Sequence, residues 1–235
     1  MVDRSKRYQR ILDMLALRQP DLTVLMDGVH KPHNLAAIVR TCDAVGIDQL
    51  HAVYPHEQVE ECHHTASGSN RWVQVSQHKT TALALSHLKK EGYQVVAAHL
   101  SDTAVSYRSI DYTKKTCVVV GAELEGVSQT SIEQVDEHII IPMMGMVQSL
   151  NVSVATAIIL YEAQRQREEA GAYSTQKVNL ASYQEKIVKW LHPSVYRYCK
   201  EKQLPLPRLN AEGDIDDPIW QQKRLLDSGT GFKDD

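Results

Sequence analysis

Six short apolar runs recur between residues 22 and 142, and segments with helical or turn composition separate them. The runs are LTVLMDGV, QLHAVY, WVQV, YQVVAAHL, TCVVVGA and EHIIIP. Several are apolar at consecutive positions, which is typical of strands that are buried on both faces. Helical patterns that end at Gly46, Gly92 and Gly171 alternate with them. The sequence therefore predicts an α/β fold, with a mostly parallel sheet that helices cover on both faces.

The two ends of the chain lack this alternation. Residues 5–18 carry apolar side chains at helical spacing, which predicts an amphipathic helix. After Gly171, the segments SYQEKIVKWL and PSVYRYCKEKQ predict two shorter helices, and IWQQKRLL predicts a third after an irregular stretch. We therefore predict three parts, which are a helical extension at residues 1–22, a central α/β domain at 23–170 and a second helical extension at 171–235.

The formal net charge of −3 hides an uneven distribution. Residues 1–40 and 161–202 each carry a net charge of +3, whereas residues 41–160 carry −6 and residues 203–235 carry −3. Because steering of a polyanion depends on where the positive charge lies, these two basic flanks favour a nucleic-acid partner. Two helices with ordinary solvated lysines and arginines would give the same pattern, so this alternative stays open.

The composition favours a cytoplasmic protein without a membrane span. No apolar run reaches the roughly 18 residues that a membrane-spanning helix needs. The first residues, MVDRSKRYQR, are polar and precede no hydrophobic signal core. The four cysteines lie far apart and form no CxxC pair, which is typical of a reducing compartment.

Three apolar runs end in small or flexible residues, in the segments AAHLSD, VGAELEG and IPMMGMVQSLN. Parallel sheets bind ligands beyond the carboxyl ends of their strands, so these three ends predict one pocket. Backbone groups there, with apolar walls, would suit a flat heterocycle such as adenine. Ser149 or Asn151 can cap the helix that follows. The predicted apolar walls are Leu100, Ile141, Met143, Met146 and Leu150. Each segment alone is also compatible with an ordinary strand-to-helix turn.

Two common nucleotide-binding motifs are missing from the sequence. GAELEG has the glycine spacing of a phosphate loop, but Val127 and Ser128 follow it where that loop needs lysine and a hydroxyl residue. No GxGxxG follows any apolar run. A P-loop site is therefore excluded, and a Rossmann dinucleotide site is disfavoured.

The segment HKPHNLAAIVRT, at residues 30–41, is a second candidate for chemistry. Asn34 is a suitable N-cap for the helix that follows, and Arg40 lies six residues later. On one continuous helix these two residues do not share a face. Because Arg40 follows Ile38 and Val39, we expect its guanidinium to be partly buried, where it would need an anionic partner or hydrogen bonds. An arginine that only ties two segments together is the alternative.

Histidine and cysteine residues cluster in ECHH at residues 61–64, with His51 and His56 upstream. Their spacing matches no zinc pattern, so we predict a polar loop and no metal.

Together these motifs resemble the SPOUT superfamily of RNA methyltransferases, within it the SpoU-type ribose 2′-O-methyltransferases. HNLAAIVRTCDAVG resembles the first family motif, VVVGAELEGV the second and IPMMGMVQSLNVSVATAIILYE the third. The resemblance covers almost the whole chain. It implies a deep trefoil knot at the C-terminal end of the sheet, S-adenosylmethionine as the cofactor and a homodimer whose active site uses both protomers. It also implies methylation of the ribose of guanosine 18 in the D-loop of tRNA.

The resemblance assigns roles to individual residues. It implies that Arg40 and Asn34 are a catalytic pair, supported by Glu123, Ser149 and Asn151. It places S-adenosylmethionine against Ala98, Leu100, Gly121, Ile141, Met146, Ser149 and Leu150. It implies that RNA phosphates meet Arg10, Arg18, Lys31, Arg165 and Arg167.

Arg40 poses a chemical difficulty, because arginine does not normally act as a base. Burial would disfavour its charged form, or the charged guanidinium would stabilise an oxyanion or a phosphate. Two alternative functions stay open, which are a methyltransferase acting on ribosomal RNA and a non-catalytic RNA-binding dimer with the same fold.

Overall fold

The computed structural model describes residues 4–53, 72–174, 183–218 and 220. The chain divides into two compact units. One is Leu17–Lys177, and the other combines Met1–Ala16 with Val178–Asp235. Most of the two terminal extensions that the sequence analysis separated therefore belongs to one unit, while residues 17–22 and 171–177 belong to the larger one.

The larger unit is built on a parallel sheet, which has seven strands in the part of the chain that the structure describes. The strands are β1 Leu22–Asp27, β2 Gln49–Val53, β3 Gln74–His78, β4 Gln94–Ala98, β5 Val105–Ser106, β6 Thr116–Gly121 and β7 Glu137–Ile140. Their order in the sheet is β3-β2-β1-β6-β4-β7-β5. Every neighbouring pair is parallel, as predicted. As a result, β4, β6 and β7 lie side by side and end at one edge.

The first helix precedes these strands, and the others lie between or after them. They are α1 Arg4–Ala16, α2 Pro32–Ala44, α3 Thr81–Lys90, α4 Gln129–Gln134, α5 Val152–Glu169, α6 Gln184–Leu191 and α7 Pro193–Glu201. A 3-10 helix spans Tyr107–Ser109. The sequence analysis missed α4 and β5, because six and two residues are too short for a periodic signal. The predicted helix IWQQKRLL lies outside the described residues except for Trp220.

Apolar side chains fill both faces of the sheet, which confirms the predicted layers. One core joins alternate residues of β1 and β6, such as Val24 and Val118, to α2 and α5. A second core joins the intervening residues, such as Leu25 and Val119, to α3. The alternation follows from the two-residue period of a strand. Among the described residues, no helix combines the length and apolar character needed to cross a membrane.

Two of the predicted phosphate ligands are buried in the larger unit. Arg167 has no exposed surface. Its guanidinium donates hydrogen bonds of 2.9–3.0 Å to the backbone carbonyls of Tyr112, Asp21 and Lys114. It also donates to the Gln19 side chain and forms an ion pair with the Asp21 carboxylate. Such geometry leaves no donor for RNA.

Arg18 is only 1% exposed and donates to the Ile47 carbonyl at 2.7 Å and to the Asp43 carboxylate at 2.7 Å. The prediction that Arg18 and Arg167 contact phosphates is therefore wrong. Both side chains tie loops to the sheet instead.

Replacing Arg167 should destabilise the larger unit rather than only weaken RNA binding. Arg167→Ala leaves the Asp21 carboxylate and three carbonyls without their donor, so we expect the free energy of unfolding to fall by about 3–5 kcal/mol. Arg165→Ala is the matched control, because Arg165 is 54% exposed on the same helix and pairs with Glu162 and Glu169 at the surface. Urea denaturation measures both. An Arg167→Ala variant as stable as the wild type would contradict the structural role.

Three histidines pack together between β2, β3 and α3. His51 Nδ1 lies 2.9 Å from His78 Nε2, and the His87 ring centroid lies 5.7 Å from each of theirs. Burial, followed by the charges of His78 and His87, lowers the pKa of His51 to about 4. Burial also lowers the pKa of His78. The described residues contain no group of three or more histidine, cysteine or acidic side chains that could hold a metal ion. The ECHH segment lies outside them.

This cluster should make the fold acid-sensitive. In the unfolded chain a histidine titrates near 6.5, so between about pH 6.5 and 4 the unfolded state binds more protons. Stability is therefore complete above pH 6.5 and is lost as the pH falls towards 4. We expect the wild type to lose on the order of 2 kcal/mol between pH 7.5 and pH 5 through His51. His51→Gln should lose correspondingly less, as urea denaturation at both pH values would show. An unchanged pH dependence in His51→Gln would refute this.

Candidate active site

A pocket of about 200 Å³ opens at the carboxyl ends of β4, β6 and β7. It is formed by the three segments that the sequence analysis singled out, together with the start of α5. Its lining comprises residues 98–100, 120–123, 126, 139–141, 143, 148–150, 152, 155 and 159. The parallel order of these strands brings segments from distant parts of the chain to one edge.

Most of the predicted cofactor-binding residues line this pocket. Those that do are Ala98, Leu100, Gly121, Ile141, Ser149 and Leu150, and Met143 is there too. Met146 is absent from the lining and is 99% exposed. Met144 and Val147 on the same loop are also exposed, so this stretch is turned towards solvent. The structure therefore does not bring Met146 into the pocket.

A tight turn after β6 forms one wall. Ala122 and Gly126 exchange two backbone hydrogen bonds, each 2.9 Å long, which closes the turn. Gly126 has a φ of +70°, a conformation that glycine adopts without strain. A Cβ atom on Gly121 would lie 2.0 Å from the Gly126 carbonyl carbon, so only glycine fits there. The turn thus places a backbone surface in the pocket and Glu123 at its rim.

Glu123 is the centre of a polar network. Its Oε1 accepts hydrogen bonds from Asn34 Nδ2 at 2.5 Å and from Asn151 Nδ2 at 2.9 Å. Asn151 Nδ2 also donates to Asn34 Oδ1 at 3.1 Å. Lys31 pairs with Oε2 of the same carboxylate. The network joins α2, the turn after β6 and the start of α5.

Asn151 has a second task that fixes its orientation. It is the N-cap of α5, and its Oδ1 accepts from the backbone N–H of Ser153 at 2.9 Å. The sequence analysis left open whether Ser149 or Asn151 is this cap, and the structure identifies Asn151. Because its oxygen is used by the cap, its amide nitrogen must face Glu123 and Asn34.

The predicted pair of Asn34 and Arg40 is not assembled within one chain. The helix begins at Pro32 with Lys31 as the N-cap position, so Asn34 lies inside the first turn and the prediction that it caps the helix is wrong. Asn34 is 1% exposed, whereas Arg40 is exposed. Six residues turn a helix by about 240° and advance it by about 9 Å, which separates the two side chains.

Arg40 was expected to be partly buried with an anionic partner or hydrogen bonds, and that expectation is wrong, because the residue is exposed. Its side chain has neither an ion pair nor a hydrogen bond with any residue that the structure describes. It is therefore free to meet a group from outside its own chain.

The other predicted phosphate ligands are accessible. Lys31 lies at the rim of the pocket in its ion pair with Glu123. Arg165 is exposed on α5 within its pairs to Glu162 and Glu169. Arg10 is exposed on α1, in the smaller unit.

Asp27 is a supporting residue that the sequence analysis missed. It is 5% exposed at the end of β1. Its Oδ1 accepts from Thr81 Oγ1 at 2.7 Å, and its Oδ2 accepts from the backbone N–H of Ser128 at 2.8 Å and from Ser131 Oγ at 2.6 Å. These bonds hold the end of the turn that carries Glu123. The sequence did offer a signal for this role, because Asp27 is an acidic residue at the end of the apolar run LTVLMD.

Comparison with known proteins agrees with this architecture. The sequence model of the SpoU rRNA Methylase family matches residues 21–161, and the model described as "SpoU, rRNA methylase, C-terminal" matches residues 165–218. The tRNA (guanosine(18)-2′-O)-methyltransferase of Escherichia coli (strain K12) is 51% identical over 217 residues, which are 91% of this chain and 95% of the relative.

Two solved structures are similar. The TrmH/SpoU tRNA modifying enzyme of A. aeolicus has 45% sequence identity and a TM-score of 0.74, over 82% of this chain and 98% of that one. An AdoMet-bound rRNA methyltransferase from Sinorhizobium meliloti has 31% identity and a TM-score of 0.56, over 64% of this chain and 59% of that one. With the two family models spanning most of its length, this chain belongs to the SpoU methylase family.

Proposed function

We propose that this chain is an S-adenosylmethionine-dependent methyltransferase that methylates the ribose 2′-OH of guanosine 18 in the D-loop of tRNA. The observation that carries the proposal is the pocket at the ends of β4, β6 and β7, with a fixed carboxylate network at its rim. The E. coli relative with 51% identity is named for this reaction. The protein works in the cytoplasm, where tRNA is available.

The pocket fits the cofactor by its chemistry. Apolar side chains such as Ile141 and Leu150 can cover the faces of an adenine, while the backbone groups of three turns can bind its edge. The absence of a side chain at Gly121 lets the backbone of the turn pack directly against this strand end, so the wall that faces the pocket there is backbone. When bound, S-adenosylmethionine supplies an electron-poor methyl group. We assign its binding to Ala98, Leu100, Gly121, Ile141, Ser149 and Leu150, and no metal is required. The deep trefoil knot stays a prediction, supported by family membership.

We infer a homodimer in which Arg40 of one protomer completes the pocket of the other. Three features support this inference. Arg40 is exposed on a different side of α2 from Asn34. On α5, which packs beside α2 on one face of the sheet, Val154 and Tyr161 leave about half of their surface exposed. In such a dimer the charged guanidinium would stabilise a phosphate or the developing charge on the ribose.

RNA binding is assigned to the accessible cations Arg10, Lys31 and Arg165. The buried Arg18 and Arg167 no longer belong to this set. Because each contacted phosphate releases counterions, the affinity should fall steeply with added salt. A non-catalytic RNA-binding protein would not need the fixed arrangement of Glu123, Asn34 and Asn151.

Methyl transfer from labelled S-adenosylmethionine tests the activity. The purified protein is incubated with unmodified tRNA transcript or with ribosomal RNA, and the modified nucleotide is mapped. We expect 2′-O-methylguanosine at position 18 of tRNA. Modification confined to ribosomal RNA would favour ribosomal RNA as the substrate. This alternative has a specific basis, because the similar structure from S. meliloti is described as an rRNA methyltransferase. Incorporation at neither would refute the proposal.

Mixing two inactive variants tests the shared site. Arg40→Ala and Glu123→Gln should each abolish transfer while cofactor binding survives. If each pocket takes Arg40 from the partner subunit, a mixed dimer has one intact site, so an equimolar mixture should recover about a quarter of wild-type activity after subunit exchange.

Each variant measured alone is the control for this recovery. A mixture as inactive as its components, with exchange shown by differently sized tags, would place Arg40 in its own pocket. Loss of cofactor binding in Arg40→Ala would make Arg40 structural.

Two glycines on the pocket loops offer a matched test of cofactor binding. In Gly121→Ala the new Cβ must push the turn from Ala122 to Gly126 open, so cofactor affinity should fall by at least about tenfold. In Gly145→Ala the new atom meets nothing within 4 Å, so affinity should not change. Isothermal titration with S-adenosylmethionine measures both. Equal affinities in the two variants would place the cofactor away from this turn.

A further inference from the structure

Transfer of a methyl group to a ribose hydroxyl requires a proton acceptor. The 2′ oxygen must lose its proton as it bonds to carbon, because it would otherwise become a protonated ether. A guanidinium does not give up a proton in proteins. The acceptor must therefore be sought among other side chains at the pocket.

Glu123 is the only carboxylate among the described residues that line the pocket. The other ionisable residue there is His99, whose ring lies edge-on against His138, 5.3 Å between centroids. His138 lies in strand β7 and neighbours Ile139 in sequence, so its side chain points to the sheet face opposite Ile139. The His99 ring therefore packs on the α4 side of the sheet, where His138 Nε2 lies 3.0 Å from the Ile132 carbonyl, whereas Asn34 and Asn151 hold Glu123 on the α2 and α5 side. Glu123 is thus the better-placed acceptor.

The two oxygens of Glu123 are used differently. Both amide donors, from Asn34 and Asn151, bind Oε1. They hold the carboxylate in one orientation and leave Oε2 for Lys31. A carboxylate that carries a cation on its second oxygen is a poor base, because the cation favours the charged form. The ammonium of Lys31 therefore masks the oxygen that would accept a proton.

We propose that Glu123 accepts the proton of the ribose 2′-OH, and that Lys31 masks this carboxylate until an RNA phosphate draws its ammonium away. The inference rests on the proposed function, since it needs a ribose hydroxyl as the methyl acceptor.

The exposure of the pair allows such an exchange. The Lys31 side chain is 43% exposed and the Glu123 side chain 21%, so the ion pair is open to solvent on the lysine side. An ion pair at this exposure is weak, and a phosphate is a competing partner for the same ammonium. Asn34 and Asn151 are unaffected by its departure, because neither bonds to Lys31. RNA binding would then be coupled to activation of the base.

The step balances as a direct displacement. A lone pair of the 2′ oxygen forms the new bond to the methyl carbon while the carbon–sulfur bond breaks. Sulfur keeps the bonding electrons and becomes a neutral thioether. The hydroxyl proton moves to Oε2 of Glu123 and later leaves to solvent, so no further reactant is needed.

Chemical rescue tests the proton transfer. Single-turnover methylation of tRNA should slow by at least about 100-fold in Glu123→Gln and Glu123→Ala, with cofactor affinity retained. Added formate should restore part of the rate to Glu123→Ala, where the small anion can occupy the vacated space. It should not rescue Glu123→Gln, whose side chain fills that space. Glu125→Gln, an exposed residue of the same turn, is the matched control and should react at the wild-type rate.

The outcomes separate this inference from the proposed function. If the wild type methylates guanosine 18 and Glu123→Gln is equally fast, only the inference fails. If Glu123→Ala is slow and formate has no effect, Glu123 positions other groups and accepts no proton. If the wild type transfers no methyl group to tRNA ribose, the proposed function itself fails.

Lys31→Gln tests the masking. We expect weaker tRNA binding but a single-turnover rate at saturating tRNA within about threefold of the wild type, because the lysine has left Glu123 by then. A thermal unfolding midpoint near that of the wild type confirms the fold. A rate as low as that of Glu123→Gln would show that Lys31 takes part in the chemistry, and tRNA affinity unchanged from the wild type would show that no phosphate draws it away. Either result would overturn the masking.

Discussion

The two hydrogen bonds between Ala122 and Gly126 are the constraint on which the site depends. They close a turn so tightly that Gly121 has no room for a side chain. That closure fixes where Glu123 leaves the backbone, and the carboxylate in turn is the common acceptor for α2 and α5. Asp27 secures the far end of the turn through Ser128. The pocket wall and the polar network therefore both depend on the turn from Ala122 to Gly126.

The sheet holds this turn in place because apolar cores pack against both of its faces. Strands β1 and β6 are buried throughout most of their length, with separate cores above and below them. Loops at their carboxyl ends can then be polar and irregular without destabilising the fold, since the strands carry the packing. The buried guanidinium of Arg167 also stabilises the loops of this unit, because it donates hydrogen bonds to carbonyls of Tyr112 and Lys114 that would otherwise lack donors.

The fold was predictable from the sequence to the extent that burial leaves a local pattern. Apolar runs identified six of the strands in the described residues, although β3 begins at Gln74, two residues later than WVQV begins. Arg167 shows the limit of such reasoning. Its charge suggested a phosphate ligand, but its partners Asp21 and Gln19 are more than 140 residues away in sequence. Asn34 is similar, because Lys31 and Pro32 begin the helix earlier than a capping preference indicated.

The candidate site shows which chemical roles follow from motif and which need coordinates. Residue types at the three strand ends predicted a backbone-lined pocket, and most of those residues line it. The distribution of partners over the two Glu123 oxygens could not be predicted, because it depends on the orientations of two amides. Asn151 fixes one of these by capping α5. The cap of α5 thus helps to determine how the Glu123 carboxylate presents its second oxygen, Oε2, to Lys31 at the rim.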